Sequence, residues 1–175
     1  MAIKLYNVNI LEEGSGNIII TTDGLGPEHE GALGRKLAQQ FPDEWKKISS
    51  RVKYPVPFGQ ITSVPAPENS SFDYIHLASV LNHTSDIPET VMRNTVKDVV
   101  KQAIRKAFET KVFNLSSILL KGGWRLPTDL AIMSMLDGYE AMLPASKKIT
   151  FEIYETDPAK FQRIKDLCDS LGWGV

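Results

Sequence analysis

The chain has little of three features that define whole classes of protein. It has one cysteine, Cys168, which excludes an intramolecular disulfide framework and suits a reducing compartment. It has no apolar run of the roughly 18 to 20 residues that a membrane-spanning helix needs. Its formal net charge is −1, so it lacks the excess of positive charge that general nucleic-acid binding requires.

The first ten residues, MAIKLYNVNI, also lack the apolar stretch and small-residue cleavage site of a secretory signal peptide. A cytoplasmic protein without membrane association is therefore expected. The 175 residues, 42% of them hydrophobic, can bury one normal core. No linker, repeat or low-complexity tract interrupts them, so we expect a single domain over residues 1–175.

Strand and helix patterns alternate along the chain, which favours an α/β fold with a mixed, mostly parallel sheet covered by helices on both sides. The clearest helix is predicted over residues 86–110, with Asp86 as its cap. A later helix, over 127–142, is expected to turn Leu130, Met133 and Leu136 inward. The predicted strands are residues 3–10, 17–22, 58–64, 74–81, 112–120 and 149–154.

Two glycine-containing loops each follow a predicted apolar strand. The first carries Gly24, Gly26 and Gly31 before a helix, a layout that directs backbone N–H groups and a positive helix end at an anion, usually a phosphate. The second carries Gly122 and Gly123. Since both loops lie at the carboxyl ends of strands, they favour a ligand crevice there. The alternative for Gly24, Gly26 and Gly31 is an ordinary tight turn between strand and helix.

Trp124 and Arg125 are unusual residues for a plain turn. Arg125 is a candidate for a bidentate phosphate contact, and Trp124 for a pocket wall or a stacking surface. The alternative is that Trp124 covers a helix end while Arg125 is solvated.

Metal and nucleophile chemistry are not indicated. The three histidines and Cys168 have no metal-ligand spacing, so we expect neither a zinc site nor another cofactor. His76, in an apolar strand, is expected to be a hydrogen-bonded core residue. No G-x-S-x-G motif supports a serine hydrolase.

Several short stretches follow the order of one family's binding motifs. Asn9-Ile10 stands where that family has Asp-Ile, Thr22-Asp23 where it has an Asn, and residues 30–33 (Glu-Gly-Ala-Leu) where it has Asp-Gly-Ala-Ile. Gly122, Gly123 and Pro127 match a second phosphate loop, and Tyr154 matches an aromatic that often packs on adenine. On these residues the chain resembles the macro domain, the ADP-ribose-binding fold.

The resemblance implies a three-layer α/β/α macro-like domain that binds ADP-ribose, an ADP-ribosylated substrate or a related nucleotide-sugar. Asn9 and Tyr154 would hold the adenine, and Asp23 the distal ribose. Backbone amides would hold the diphosphate. The implied ligand-binding residues are Asn9, Ile10, Thr22, Gly24, Gly26, Gly31, Ala32, Leu33, Gly122, Gly123, Trp124, Arg125 and Tyr154.

The resemblance also implies candidate catalytic residues. Glu30 would activate a water that hydrolyses an ADP-ribosyl linkage or an ADP-ribose phosphate without a metal. Asp23 and His29 are further candidates. The alternatives are that Glu30 only favours the helix dipole, that Asp23 is a turn residue and that His29 is exposed. The competing function is a non-catalytic module that senses a nucleotide or a partner protein; a third is a crevice used for assembly.

Overall fold

A six-stranded sheet forms the centre of the fold. The computed structural model describes residues 3–27, 31–81, 86–123 and 125–175. In these ranges the strand order is β1-β6-β5-β2-β4-β3, and all neighbours are parallel except the edge pair β3–β4. The strands are β1 (Ile3–Tyr6), β2 (Gly16–Thr22), β3 (Ile61–Pro65), β4 (Phe72–Ser79), β5 (Asn114–Ile118) and β6 (Thr150–Tyr154).

Helices cover both faces of this sheet, which confirms the predicted α/β class and three-layer arrangement. Ile18 and Ile20 of β2 pack on one side, whereas Ile19 packs on the other. A continuous apolar run is the pattern expected of a strand that is buried on both faces. The helices are α1 (Ile10–Glu13), α2 (Ala32–Gln40), α3 (Pro42–Arg51), α4 (Glu89–Thr110), α5 (Thr128–Ala141) and α6 (Pro158–Ser170), with a 3₁₀ helix at Ala145–Lys148.

The starts of two helices differ from each other in their capping. Asp157 caps α6, because its Oδ1 accepts a hydrogen bond from the Ala159 N–H at 3.0 Å. The prediction that Asp86 caps α4 is wrong: the helix begins at Glu89, with Pro88 at the N-cap and no side-chain cap. The residue before a proline is disfavoured in helical conformation, so the helix cannot include Ile87.

One further boundary and one burial prediction need correction. The first strand ends at Tyr6 rather than at Ile10, because the Asn9 side chain caps α1 by accepting from the Leu11 N–H at 3.0 Å. In α5, Leu136 is buried as predicted, but Leu130 and Met133 are only half-buried. The deeply buried positions of α5 are Ala131, Ile132, Ser134, Met135, Leu136, Gly138 and Tyr139.

A buried polar network joins β2, β4 and β3 on one face of the sheet. His76 Nε2 lies 2.8 Å from Asn17 Oδ1, and His76 Nδ1 lies 2.7 Å from Ser63 Oγ. The Asn17 amide nitrogen donates to the Val112 carbonyl, so its oxygen faces the imidazole and assigns the proton to Nε2. His76 is therefore a satisfied core histidine, as predicted.

No helix in the described part of the chain is long and apolar enough to cross a membrane.

Candidate ligand-binding cleft

A cleft of about 780 Å³ opens at the edge where the parallel strands end. The segments that follow β1, β2, β5 and β6 line it, together with the first turns of α2 and α6. This is the edge where the sequence predicted a crevice. A smaller polar groove, of about 280 Å³, lies elsewhere, between Gly59 and Gln102.

The N-terminus of α2 forms one wall of the cleft. Gly31 is its N-cap residue and provides no side-chain cap. A Cβ on Gly31 would lie 2.9 Å from the Thr21 carbonyl oxygen, so only glycine lets the helix start this close to β2. The first-turn N–H groups of a helix have no partner within it, and those of Ala32 and Leu33 belong to residues that line the cleft. This wall can therefore stabilise an anion.

The glycine pair after β5 forms a second wall. Gly122 and Gly123 both have left-handed backbone, with φ of 60° and 68°. The Leu126 N–H closes the turn on the Lys121 carbonyl at 3.0 Å. A Cβ on Gly122 would collide with the Met92 side chain, so this position needs glycine for two reasons. Successive N–H groups in such a turn make an anion-binding concavity.

The other end of the cleft lies at the ends of β1 and β6. Asn9, Ile10 and Tyr154, three of the predicted ligand-binding residues, line it. The Tyr154 ring stacks on Tyr6 at a centroid distance of 5.1 Å and is only 4% exposed, so little of it is accessible from the cleft. Its hydroxyl donates to the Glu152 carboxylate at 2.7 Å. Burial and that carboxylate raise the pKa of Tyr154, which keeps the phenol protonated.

The beginning of the first loop turns away from the cleft. The Gly24 carbonyl accepts from the Val56 N–H at 2.7 Å, and a Cβ on Gly24 would collide with the Val56 carbonyl. Gly26 is buried. Thr22 is buried and accepts from the Gly24 N–H, whereas Thr21, which points to the opposite face, lines the cleft. Thr22, Gly24 and Gly26 therefore lie outside the cleft lining, contrary to the expected site.

Asp23 is the one candidate catalytic residue within the described ranges. Its Oδ1 accepts from the Leu25 N–H at 2.9 Å, which is the Asx turn that short acidic side chains commonly form. It is not among the cleft-lining residues. The geometry therefore favours the turn role over the ribose contact. Glu30, His29 and Trp124 lie outside the described residues, so their predicted roles stay predictions.

Arg125 also lies apart from the cleft lining. It is half-buried, and its Nη1 lies 3.8 Å from the position that a Cβ on Gly123 would occupy. Its guanidinium is thus beside the glycine turn, without lining the cleft itself.

Charged residues that the sequence reading missed also line the cleft. Arg35 and Lys36 lie on the α2 side, and Lys121 and Lys160 on the side of β5 and α6. Glu155 and Asp157 are the lining acids within the described ranges. All follow the end of a parallel strand or lie in the first two turns of the next helix, and that position is the signal that could have found them.

The sequence matches no family model and no curated protein. Solved structures do match it. A mutant macrodomain of Oceanobacillus iheyensis has a TM-score of 0.79 at 13% identity and covers 97% of this chain and 92% of its own. Another mutant of that macrodomain, with ADPR, has a TM-score of 0.77 at 11% identity, with 97% and 92% covered. The protein therefore has the macrodomain fold, as its motifs predicted.

An alphavirus structure, P23pro-zbd, matches over 98% of this chain with a TM-score of 0.73 at 12% identity. This chain spans only 24% of that longer one.

Proposed function

We propose that the cleft binds ADP-ribose or a closely related nucleotide-sugar. The observation that carries this proposal is the pair of N–H-rich walls, at Ala32 and Leu33 and at Gly122 and Gly123, which line one cleft at the carboxyl edge of the sheet. Support comes from the macrodomain with ADPR that shares this fold.

The diphosphate would lie between these two walls. The positive end of α2 favours a negative charge, and its first-turn N–H groups supply donors without a competing side-chain cap. The Gly122–Gly123 turn supplies donors from the other side. Among the described lining residues, these two walls contribute no carboxylate, because the lining acids Glu155 and Asp157 follow β6.

The two halves of the ligand would extend in opposite directions from the diphosphate. Asn9 and Ile10 would contact the adenine, and the accessible part of Tyr154 would pack on it. Asn9 Oδ1 already accepts from the Leu11 N–H, but a carbonyl oxygen has a second lone pair for the adenine amine. The distal ribose would reach toward Thr21, Leu81 and Gly31, and Gly31 follows the predicted base Glu30 in the sequence.

Binding is tested by calorimetric titration with ADP-ribose, ADP and AMP. Ala32→Pro is the most specific variant, because proline is tolerated at the first position of a helix and removes a single N–H donor. We expect its affinity for ADP-ribose to fall about tenfold, the effect of one hydrogen bond to a charged group. Ala32→Ser, which keeps the N–H, is the matched control. No heat from ADP-ribose with the unaltered protein would overturn the proposal.

The proposal has a second part, that the protein hydrolyses an ADP-ribosyl linkage, and this part depends on Glu30. If Glu30 activates water, Glu30→Gln should lose turnover of an ADP-ribosylated substrate while keeping affinity for ADP-ribose. If the unaltered protein binds ADP-ribose but releases none from such a substrate, the protein is a binding module instead.

A further inference from the structure

The Asn7 side chain joins the segment after β1 to the segment after β6. Its Nδ2 donates to two successive carbonyls, that of Glu155 at 2.8 Å and that of Thr156 at 3.1 Å. Glu155 and Thr156 line the cleft, whereas Asn7 is not among the lining residues. One amide group behind the cleft therefore holds the backbone of one of its walls.

These hydrogen bonds set the direction of the peptide between Glu155 and Thr156. Glu155 directs both of its backbone groups toward the β1 side: its N–H donates to the Tyr6 carbonyl at 2.9 Å, and its carbonyl accepts from Asn7. In a planar trans peptide, the carbonyl and the following N–H point in opposite directions. Since β6 lies between β1 and β5, the Thr156 N–H faces the β5 side, where Leu119 lines the cleft.

The Thr156 N–H is available to a ligand on that side. The pairing of β5 with β6 ends at Ile118 and Tyr154, so Thr156 lies beyond the ladder. Among the described residues, its N–H has no hydrogen-bond partner. The next N–H, that of Asp157, already donates to the Glu155 carboxylate at 3.2 Å. Thr156 therefore offers a backbone donor two residues after Tyr154.

We propose that Asn7 is a positioning residue for the adenosine half of the ligand: it holds the Glu155–Thr156 peptide so that the Thr156 N–H donates to an acceptor of that half. The inference rests on the proposed function, which places the adenosine at this end, beside Asn9 and Tyr154. Adenine offers ring nitrogens as acceptors, and the ribose offers hydroxyl oxygens. Without the Asn7 amide, both carbonyls lose their donor and the peptide is free to rotate, so the N–H is no longer held toward the ligand.

The test begins with calorimetric titration of AMP and ADP-ribose into Asn7→Leu, which removes the amide donors and nearly keeps the side-chain shape. We expect the affinity for both ligands to fall by the same factor, about fivefold, the effect of one neutral hydrogen bond. Asn7→Ala removes the same donors with a smaller side chain and should give the same loss. Asn94→Leu is the matched control, because Asn94 is an exposed asparagine of α4 outside the cleft lining; it should change neither affinity.

Amide NMR separates a positioning role from a general loss of structure. Saturation of the unaltered protein with ADP-ribose should shift the Thr156 N–H signal downfield, as a new hydrogen bond does, and most of this shift should be absent in saturated Asn7→Leu. The signals of Gly122 and Gly123 should reach the same positions in both proteins, because their wall does not depend on Asn7.

Analogues of AMP identify the acceptor. The 1-deaza, 3-deaza and 7-deaza analogues each lack one ring nitrogen, and the 2′-deoxy and 3′-deoxy analogues each lack one hydroxyl. With the unaltered protein, one analogue should lose about fivefold in affinity relative to AMP, whereas with Asn7→Leu the same analogue should bind as AMP does. If no analogue loses affinity, the Thr156 N–H has no acceptor on the adenosine half and the proposal is wrong.

The two proposals fail in distinguishable ways. Equal affinities of Asn7→Leu and the unaltered protein, or a Thr156 signal that ADP-ribose leaves in place, would overturn the positioning role and leave the proposed function intact. Changed end positions for Gly122 and Gly123 in Asn7→Leu would also overturn it, because Asn7 would then support the whole cleft. Absence of binding of AMP and ADP-ribose by the unaltered protein would overturn both proposals.

Discussion

His76 makes the folded protein sensitive to acid in a calculable way. Its imidazole is fully buried, and its two nitrogens are bonded to Ser63 and Asn17. The pKa of His76 is lowered from 6.5 to about 4, mainly by burial and also by the positive charge of Lys106, while Glu109 partly opposes the shift. Protonation at Nδ1 would also remove the acceptor of the hydrogen bond that the Ser63 hydroxyl donates.

The direction of the pH effect on stability depends on whether the folded or the unfolded chain binds the proton more tightly. The pKa is depressed on folding, so the neutral form is stabilised and the full contribution is present above pH 6.5. As the pH falls below 6.5, the unfolded chain takes up a proton that the folded chain does not, and unfolding becomes more favourable. At about 1.36 kcal/mol per pH unit, the loss reaches about 2 kcal/mol at pH 5 and about 3 kcal/mol below pH 4.

The assay is urea denaturation at pH 7.5, 6.0 and 5.0. A background with His29→Gln and His83→Gln leaves His76 as the sole imidazole of the chain. We expect the free energy of unfolding to fall by about 2 kcal/mol from pH 7.5 to 5.0. NMR of the folded protein should show the His76 ring neutral, with the proton on Nε2, throughout this range. A ring that titrates near pH 6.5, or a stability that does not change, would refute the reasoning.

Two further predictions concern the walls of the cleft. Gly122→Ala should lower the free energy of unfolding by about 1 to 3 kcal/mol, from its positive φ and the contact with Met92. Gly123→Ala has a similar φ, but among the described residues the nearest atom to its Cβ would be 3.6 Å away, so urea denaturation should show a smaller loss; equal losses would exclude the Met92 contact as the cause. Asp157→Ala should remove the α6 cap and cost about 1 kcal/mol, whereas Asp157→Asn should cost little; in the same assay, an unchanged stability for the alanine variant would contradict the capping role.

Much of the fold follows from local sequence patterns. The run of Ile18, Ile19 and Ile20 marks a strand buried on both faces, and it occupies the interior of the sheet. Asp157 followed by Pro158 marks a helix start, and α6 begins there. Gly31 and Gly122 mark the two turns that approach the cleft, because no other residue fits their backbone or their neighbours.

The residues that line the cleft are harder to predict from the sequence, because they depend on contacts between distant segments. Whether Thr21 or Thr22 lines the cleft depends on which face of β2 each side chain lies on. A shift of one residue in the register of β2 would exchange the two. The role of Gly24 depends on Val56, which lies far along the chain. Lys121 and Lys160 meet only because β5 and β6 are adjacent parallel strands. No local pattern contains these pairings.

The most direct test of the central claim is the backbone amide NMR spectrum of the protein titrated with ADP-ribose. The N–H signals of Ala32, Leu33, Gly122 and Gly123 should shift together and saturate with one dissociation constant, while those of Gly59 and Gln102 in the smaller groove stay in place. Adenosine, which has no phosphate, should leave the four cleft signals nearly unmoved. If ADP-ribose shifts none of these four signals, or shifts only those of the smaller groove, the cleft is not its binding site.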